Sequence, residues 1–169
     1  MVKNDPVIKE IVSTEQLLES VSVLQNSFET VARLYKLTEQ NCPTNAAFIT
    51  AEKLISLKQK PVIMFGLYEN SRQIGFVALE KSTSKNHVYY LEKLAVLPEY
   101  RHRGYGNLLM DHCVNYVRDH AGEKISIGII FEHQLLKKWY ENYGFVSTGL
   151  KSFKHLPFTV CFMEKTIEP

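Results

Sequence analysis

The segment LEKLAVLPEYRHRGYGNLL, from Leu91 to Leu109, constrains this chain most. An apolar, strand-like run enters a loop carrying three cations and two glycines, and the loop enters a helix. Backbone amides converge where a helix begins, and glycines let a ligand come close to them, so the segment is suited to hold phosphate groups.

A chain of 169 residues, 45% of them hydrophobic, buries one substantial core and is short for two ordinary domains. One domain spanning residues 1–169 is expected, without internal repeats or low-complexity stretches. The net charge of +2, from 20 basic and 18 acidic residues, gives no general attraction to nucleic acid or to a membrane surface. No run approaches the roughly 18 to 20 apolar residues that cross a bilayer, and the N-terminal MVKNDPVIKE holds no apolar signal core. Cys42, Cys113 and Cys161 are an odd set without paired spacing, which suits reduced thiols in the cytoplasm.

Helical and strand patterns alternate along the chain. Val7 to Val12 reads as a strand, and Ser13 with Gln16 forms a capping-box signature. The helix that follows shows an apolar stripe of Leu17, Val21, Leu24, Phe28, Val31 and Tyr35, and Cys42-Pro43 breaks it. Thr50 caps a shorter helix reaching about Leu57. Val62 to Leu67 and Ile74 to Leu79 form a hairpin around Glu69-Asn70-Ser71-Arg72, and Val88 to Val96 is a long strand. A helix from about Tyr105 to His120 turns Leu109, Cys113, Tyr116 and Val117 inward. Ile125 to Ile130 is an apolar strand suited to a parallel neighbour. Gln134 to Tyr143 is helical and stops at Gly144, and strands near Val146 to Phe153 and Thr159 to Glu164 close the chain.

Two other glycine motifs are excluded. A P-loop places Lys and Ser or Thr after its last glycine, where Asn107 and Leu108 stand; a dinucleotide fingerprint needs a small residue in place of Leu109.

What remains is Arg101-x-x-Gly104-x-Gly106 after Leu94-Ala95-Val96, and Trp139-Tyr140-Glu141-Asn142-Tyr143-Gly144-Phe145 beyond one helix and one strand. In these motifs and their order the chain resembles the GNAT superfamily of N-acetyltransferases. The resemblance covers roughly Tyr89 to Phe145. It implies an α/β (α+β) fold whose central sheet is mixed and largely antiparallel, flanked by helices, and acetyl-CoA as the acyl donor. It also implies that amides of about Arg103, Gly104, Tyr105, Gly106 and Asn107 cradle the coenzyme's pyrophosphate. At least one of Arg101, His102 and Arg103 would assist. The main chain around Leu94, Ala95 and Val96 would bind the pantetheine arm as an added strand.

Acetyl transfer to a lysine-like amine must remove a proton whose reference pKa is about 10.4, which at pH 7 costs roughly 4.6 kcal/mol. Glu92 is the candidate general base, since strand alternation places residues 92, 94 and 96 on one face. An ion pair with Lys93 is its structural alternative; Glu80 or an ordered water is the fallback base. By the resemblance, Tyr140 returns a proton to the coenzyme sulfur, and Tyr143 packs. His133 stands where the family frequently has asparagine, as a coenzyme contact or as a helix cap, and Leu136 fills an alanine site.

Cys113 reads as a buried apolar residue, and His112 and His120 lack metal-ligand spacing, so no metal is expected. The acceptor, a small-molecule or peptide amine, is left open. Phe28, Tyr35, His155 and Phe158 are candidate lining residues, and Glu39 and Glu52 candidate cation-attracting acids. Two further readings are an acyl-CoA-binding sensor or scaffold without turnover, and a nucleic-acid contact at Arg101 to Arg103, disfavoured by the sparse basic surface. Homodimers are common in the family.

Overall fold

The computed structural model describes residues 5–168; the first four residues of the N-terminal segment lie outside them. The chain runs β1 (Val7–Glu10), α1 (Thr14–Leu34), a 3-10 turn (Ala46–Phe48), α2 (Ala51–Lys58), β2 (Val62–Glu69), β3 (Arg72–Lys81) and β4 (Val88–Val96). After a second 3-10 turn (Pro98–Tyr100) come α3 (Tyr105–Asp119), β5 (Lys124–Ile130), α4 (Gln134–Tyr143), β6 (Val146–Ser152) and β7 (Thr159–Thr166).

Local chemistry sets most of these bounds. Ser13 caps α1 by accepting from the Gln16 amide, and the Gln16 side chain accepts from the Ser13 amide. Thr50 caps α2 in the same sense by accepting from Lys53. Asn70 and Ser71 both have positive φ, as a two-residue hairpin turn between right-twisted strands requires. Gly144 ends α4 at φ 102°.

α1 departs from the expected pattern in two ways. It ends at Leu34 rather than at Cys42-Pro43. Lys36 takes φ 52° and the Leu37 amide donates back to Ala32 O at 2.8 Å, a Schellman-type stop made without glycine. Its buried line runs through Leu17, Ser20, Leu24 and Ser27, with Val21, Phe28 and Val31 only partly covered. The small serines bring the helix close to the sheet, where the buried Ser20 hydroxyl donates to Gln73 Oε1 at 3.0 Å.

The seven strands form one sheet in the order β1-β2-β3-β4-β5-β7-β6, antiparallel throughout except for the β4–β5 pair. That parallel contact holds only three residue pairs, Val88–Lys124, Tyr89–Ile125 and Tyr90–Ser126, whereas β5 pairs with β7 along its whole length. β4 carries an extra residue opposite β3: Phe76 faces Ala95 and Ala78 faces Glu92, with Lys93 at φ 54° inside the bulge. Leu109, Cys113 and Val117 of α3 are fully buried, as are Ile74, Phe76 and Leu79 of β3.

The turn from α3 into β5 sets where the parallel contact begins. Gly122 sits so tightly there that an added Cβ would lie 2.4 Å from Val117 Cγ1 and 2.8 Å from the Tyr89 ring. Gly122→Ala is expected to cost about 1–3 kcal/mol through overpacking, read as a lower urea midpoint at unchanged m-value.

Candidate active site

Past Tyr90 and Ser126 the strands β4 and β5 part, and their facing backbone edges have no ladder partner in the sheet. The gap opens into a cleft of about 510 Å³ lined by Leu91 to Leu94 on one side and Ser126 to Ile130 on the other. Phe28 and Val31 of α1, Thr44 and Asn45 of the following loop, and Leu156 and Phe158 of the loop between β6 and β7 complete its walls. An extended chain can add to these free edges as a strand would. A more open depression of about 600 Å³ runs along the outer side of α1 past Gln25, Glu29 and Arg33, and it holds none of the expected residues.

At the C-terminal end of β4 the chain turns through two left-handed residues, His102 at φ 60° and Gly104 at φ 82°. Gly104 is the N-cap of α3 and offers no side chain to cap it. The first intrahelical bond runs from the Leu108 amide to Gly104 O at 3.0 Å, so the amides of Tyr105, Gly106 and Asn107 have no acceptor within the helix. Space beside Gly104 is open, and a Cβ there would meet nothing within 4 Å. These unpaired donors at a helix start fit a diphosphate. Gly106 is small for a different reason: a Cβ on it would stand 3.3 Å from Trp139 of α4, so the two sequence motifs pack directly on one another.

The three loop cations have separate fates. Arg101 turns inward, donating from Nε to Val96 O at 3.1 Å, from Nη1 to Thr30 Oγ1 at 3.1 Å and from Nη2 to Ser27 O at 2.7 Å. Burial lowers its pKa, opposed by Glu99. It ties the end of β4 to α1, and the Val96 carbonyl is occupied by this bond. Arg103 donates to Glu99 O at 3.0 Å and lies over the Tyr100 ring, while His102 is exposed. Tyr105 donates to the Glu69 carboxylate.

Tyr140 is 5% exposed and lines the cleft, held edge-on between Trp139 and Phe145. Burial, with a smaller contribution from Cys113, raises its pKa, so the phenol keeps its proton. His133 lines the same cleft and also caps α4, its Nδ1 accepting from the Leu136 amide at 3.3 Å. The Tyr143 hydroxyl donates to Asp111. Cys113 is fully buried with its thiol pKa raised by desolvation.

The bulge alters the reading of β4. Glu92 pairs with Ala78 while Ala95 pairs with Phe76, so Glu92 shares its face with Ala95 rather than with Val96, and the expected 92-94-96 alternation does not hold. Glu92 and Lys93, consecutive in sequence, both line the cleft and both line a neighbouring recess of about 110 Å³ that also holds Glu80. They form an ion pair at 3.5 Å. Of the proposed acceptor-lining residues, Phe28 and Phe158 reach the cleft; Tyr35 packs against His133 and His155 against Phe153. Lys93, Thr44 and Asn45 carry no helical or strand period that marks them as cleft residues.

The sheet thus splits at its one parallel contact, and β4 leads through the glycine loop into a helix start with unpaired amides. The sequence matches the Acetyltransferase (GNAT) family over residues 28–145, and the chain belongs to that family. Its fold is similar to that of the ribosomal-protein-S18-alanine N-acetyltransferase from Escherichia coli, with a TM-score of 0.76 at 15% identity over 98% of this chain and 96% of that one. A PaiA N-acetyltransferase from Thermoplasma acidophilum, in complex with coenzyme A, gives a TM-score of 0.77 at 17% identity over 96% and 99% of the two chains. An aminoglycoside 6'-N-acetyltransferase complexed with coenzyme A gives 0.71 at 16% identity over 96% and 98%. No curated protein sequence matches the chain.

Two outcomes follow from these contacts. Arg101→Met strips three hydrogen bonds from a half-buried cation and should cost about 2 kcal/mol, seen as a lowered thermal midpoint. Desolvation lowers the pKa of both His112 and His133. Between those depressed values and the ordinary value of about 6.5 the unfolded chain binds more protons, so stability falls as pH drops through that window. Urea unfolding at pH 7 and pH 5 should show the decline, and His133→Asn, which keeps a capping side chain, should reduce it.

Proposed function

We propose that this chain, as one domain of residues 1–169, transfers an acetyl group from acetyl-CoA to a primary amine of a small molecule or peptide. The observation that carries the reading is the continuity of β4, whose free edge lines the cleft, through the glycine loop into a helix start whose first amides have no acceptor. The amides of Tyr105, Gly106 and Asn107 hold the diphosphate, with His102 and Arg103 on the rim, and the backbone around Leu94 to Val96 aligns the pantetheine arm. Bound in this way, acetyl-CoA supplies an activated acyl carbon. Glu92 accepts the proton of the incoming ammonium, and the freed nitrogen forms the new C–N bond as the C–S bond breaks. Tyr140, protonated in its buried position, donates its proton to the departing sulfur, and the second proton that the nitrogen loses on becoming an amide restores the phenol.

Calorimetry should detect acetyl-CoA binding to the folded protein, and a free-thiol assay should detect turnover with an amine panel; absence of any coenzyme uptake overturns the reading. Tyr140→Phe is expected to lower kcat by about 10²-fold while acetyl-CoA still binds. A variant with undiminished kcat at every pH removes Tyr140 from the proton transfer.

A further inference from the structure

The β4 bulge holds two opposite charges together beside one cleft. In a regular strand, consecutive side chains point to opposite faces, yet the charged groups of Glu92 and Lys93 meet at 3.5 Å. This depends on Lys93 holding φ 54°, a conformation that non-glycine residues rarely keep unless the surrounding structure imposes it. The Lys93 side chain is only 18% exposed, against 47% for Glu92. Its ion pair with Glu92 spans 3.5 Å, longer than a good charge-assisted hydrogen bond. Among the described residues lining the cleft and the adjoining recess, Lys93 is the one lysine or arginine.

We infer that the acceptor is an α-amino acid with an apolar side chain, its carboxylate held by Lys93 and its ammonium presented to Glu92; this rests on the acetyl-transfer reading above. A carboxylate and an ammonium set side by side on the protein match a molecule that carries an ammonium and a carboxylate on one carbon. Binding exchanges one loose, partly exposed pair, which contributes little to stability, for two charge-assisted contacts. An acceptor with a second cation in place of the carboxylate would bring like charge against the Lys93 ammonium, so the same residue selects against diamines. Phe28, Val31, Leu156 and Phe158 leave the rest of the cleft to an apolar side chain.

The test compares L-leucine with 3-methylbutylamine, and L-phenylalanine with 2-phenylethylamine, by thiol release from acetyl-CoA. The native protein should favour the amino acid over its matched amine by about tenfold or more in kcat/KM, because the amine leaves Lys93 without its anion. Lys93→Asn, chosen because asparagine tolerates positive φ, should bring that ratio close to one, chiefly by raising KM for the amino acid. Lys93→Arg should keep the preference. Thiol release with a native ratio near one, or an unchanged ratio in Lys93→Asn, overturns the inference and leaves acetyl transfer standing. If no amine releases thiol, calorimetry of L-leucine with coenzyme A present separates the remaining outcomes. Lys93-dependent binding keeps the carboxylate site and removes the transfer reading; no binding removes both.

Discussion

The parting of β4 from β5 after three residue pairs is the constraint on which the rest of the molecule depends. β5 is committed to β7 from end to end, and the extra residue at Lys93 gives β4 a local twist of its own, so the two strands diverge. A continuous ladder would have paired these edges and filled the cleft. With the ladder broken, backbone donors and acceptors that a buried sheet would ordinarily satisfy face a ligand-sized space.

Arg101 braces this arrangement. Its guanidinium joins the last residue of β4 to Ser27 and Thr30 of α1, so the helix that supplies Phe28 and Val31 to the cleft is tied to the strand that supplies Glu92. The contact of Gly106 with Trp139 does the same on the other side, seating α4 and its Tyr140 against the start of α3. The loop and aromatic motifs are thus coupled mechanically, and a shift at one moves the other. With Arg101 held by this brace, the unpaired donors at the start of α3 are backbone amides, which the helix fixes in place without any side-chain ordering.

Elements whose limits are set by neighbours in sequence were legible in advance. β4 spans Val88–Val96 and α4 spans Gln134–Tyr143 as their patterns required, because capping, glycine stops and burial period act over a few residues. The end of α1 was not legible: a lysine takes the left-handed stop where a glycine would have announced it, and Cys42-Pro43 lies further along an irregular loop. The serine line of α1 was hidden for a related reason. Ser20 and Ser27 look polar in sequence, yet close approach to the sheet buries them.

The amino-acid sequence by itself determined the strand, glycine loop and helix that expose unpaired amides, together with the order of elements and the family they define. Tertiary structure alone decided that Arg101 serves as a brace and that His133, which caps α4, lies in the cleft. It also decided that the charged groups of Glu92 and Lys93 meet as an ion pair beside the cleft. The reason is physical: a bulge and a strand divergence arise from register between segments distant in the chain, and no local period records which strand will carry the extra residue.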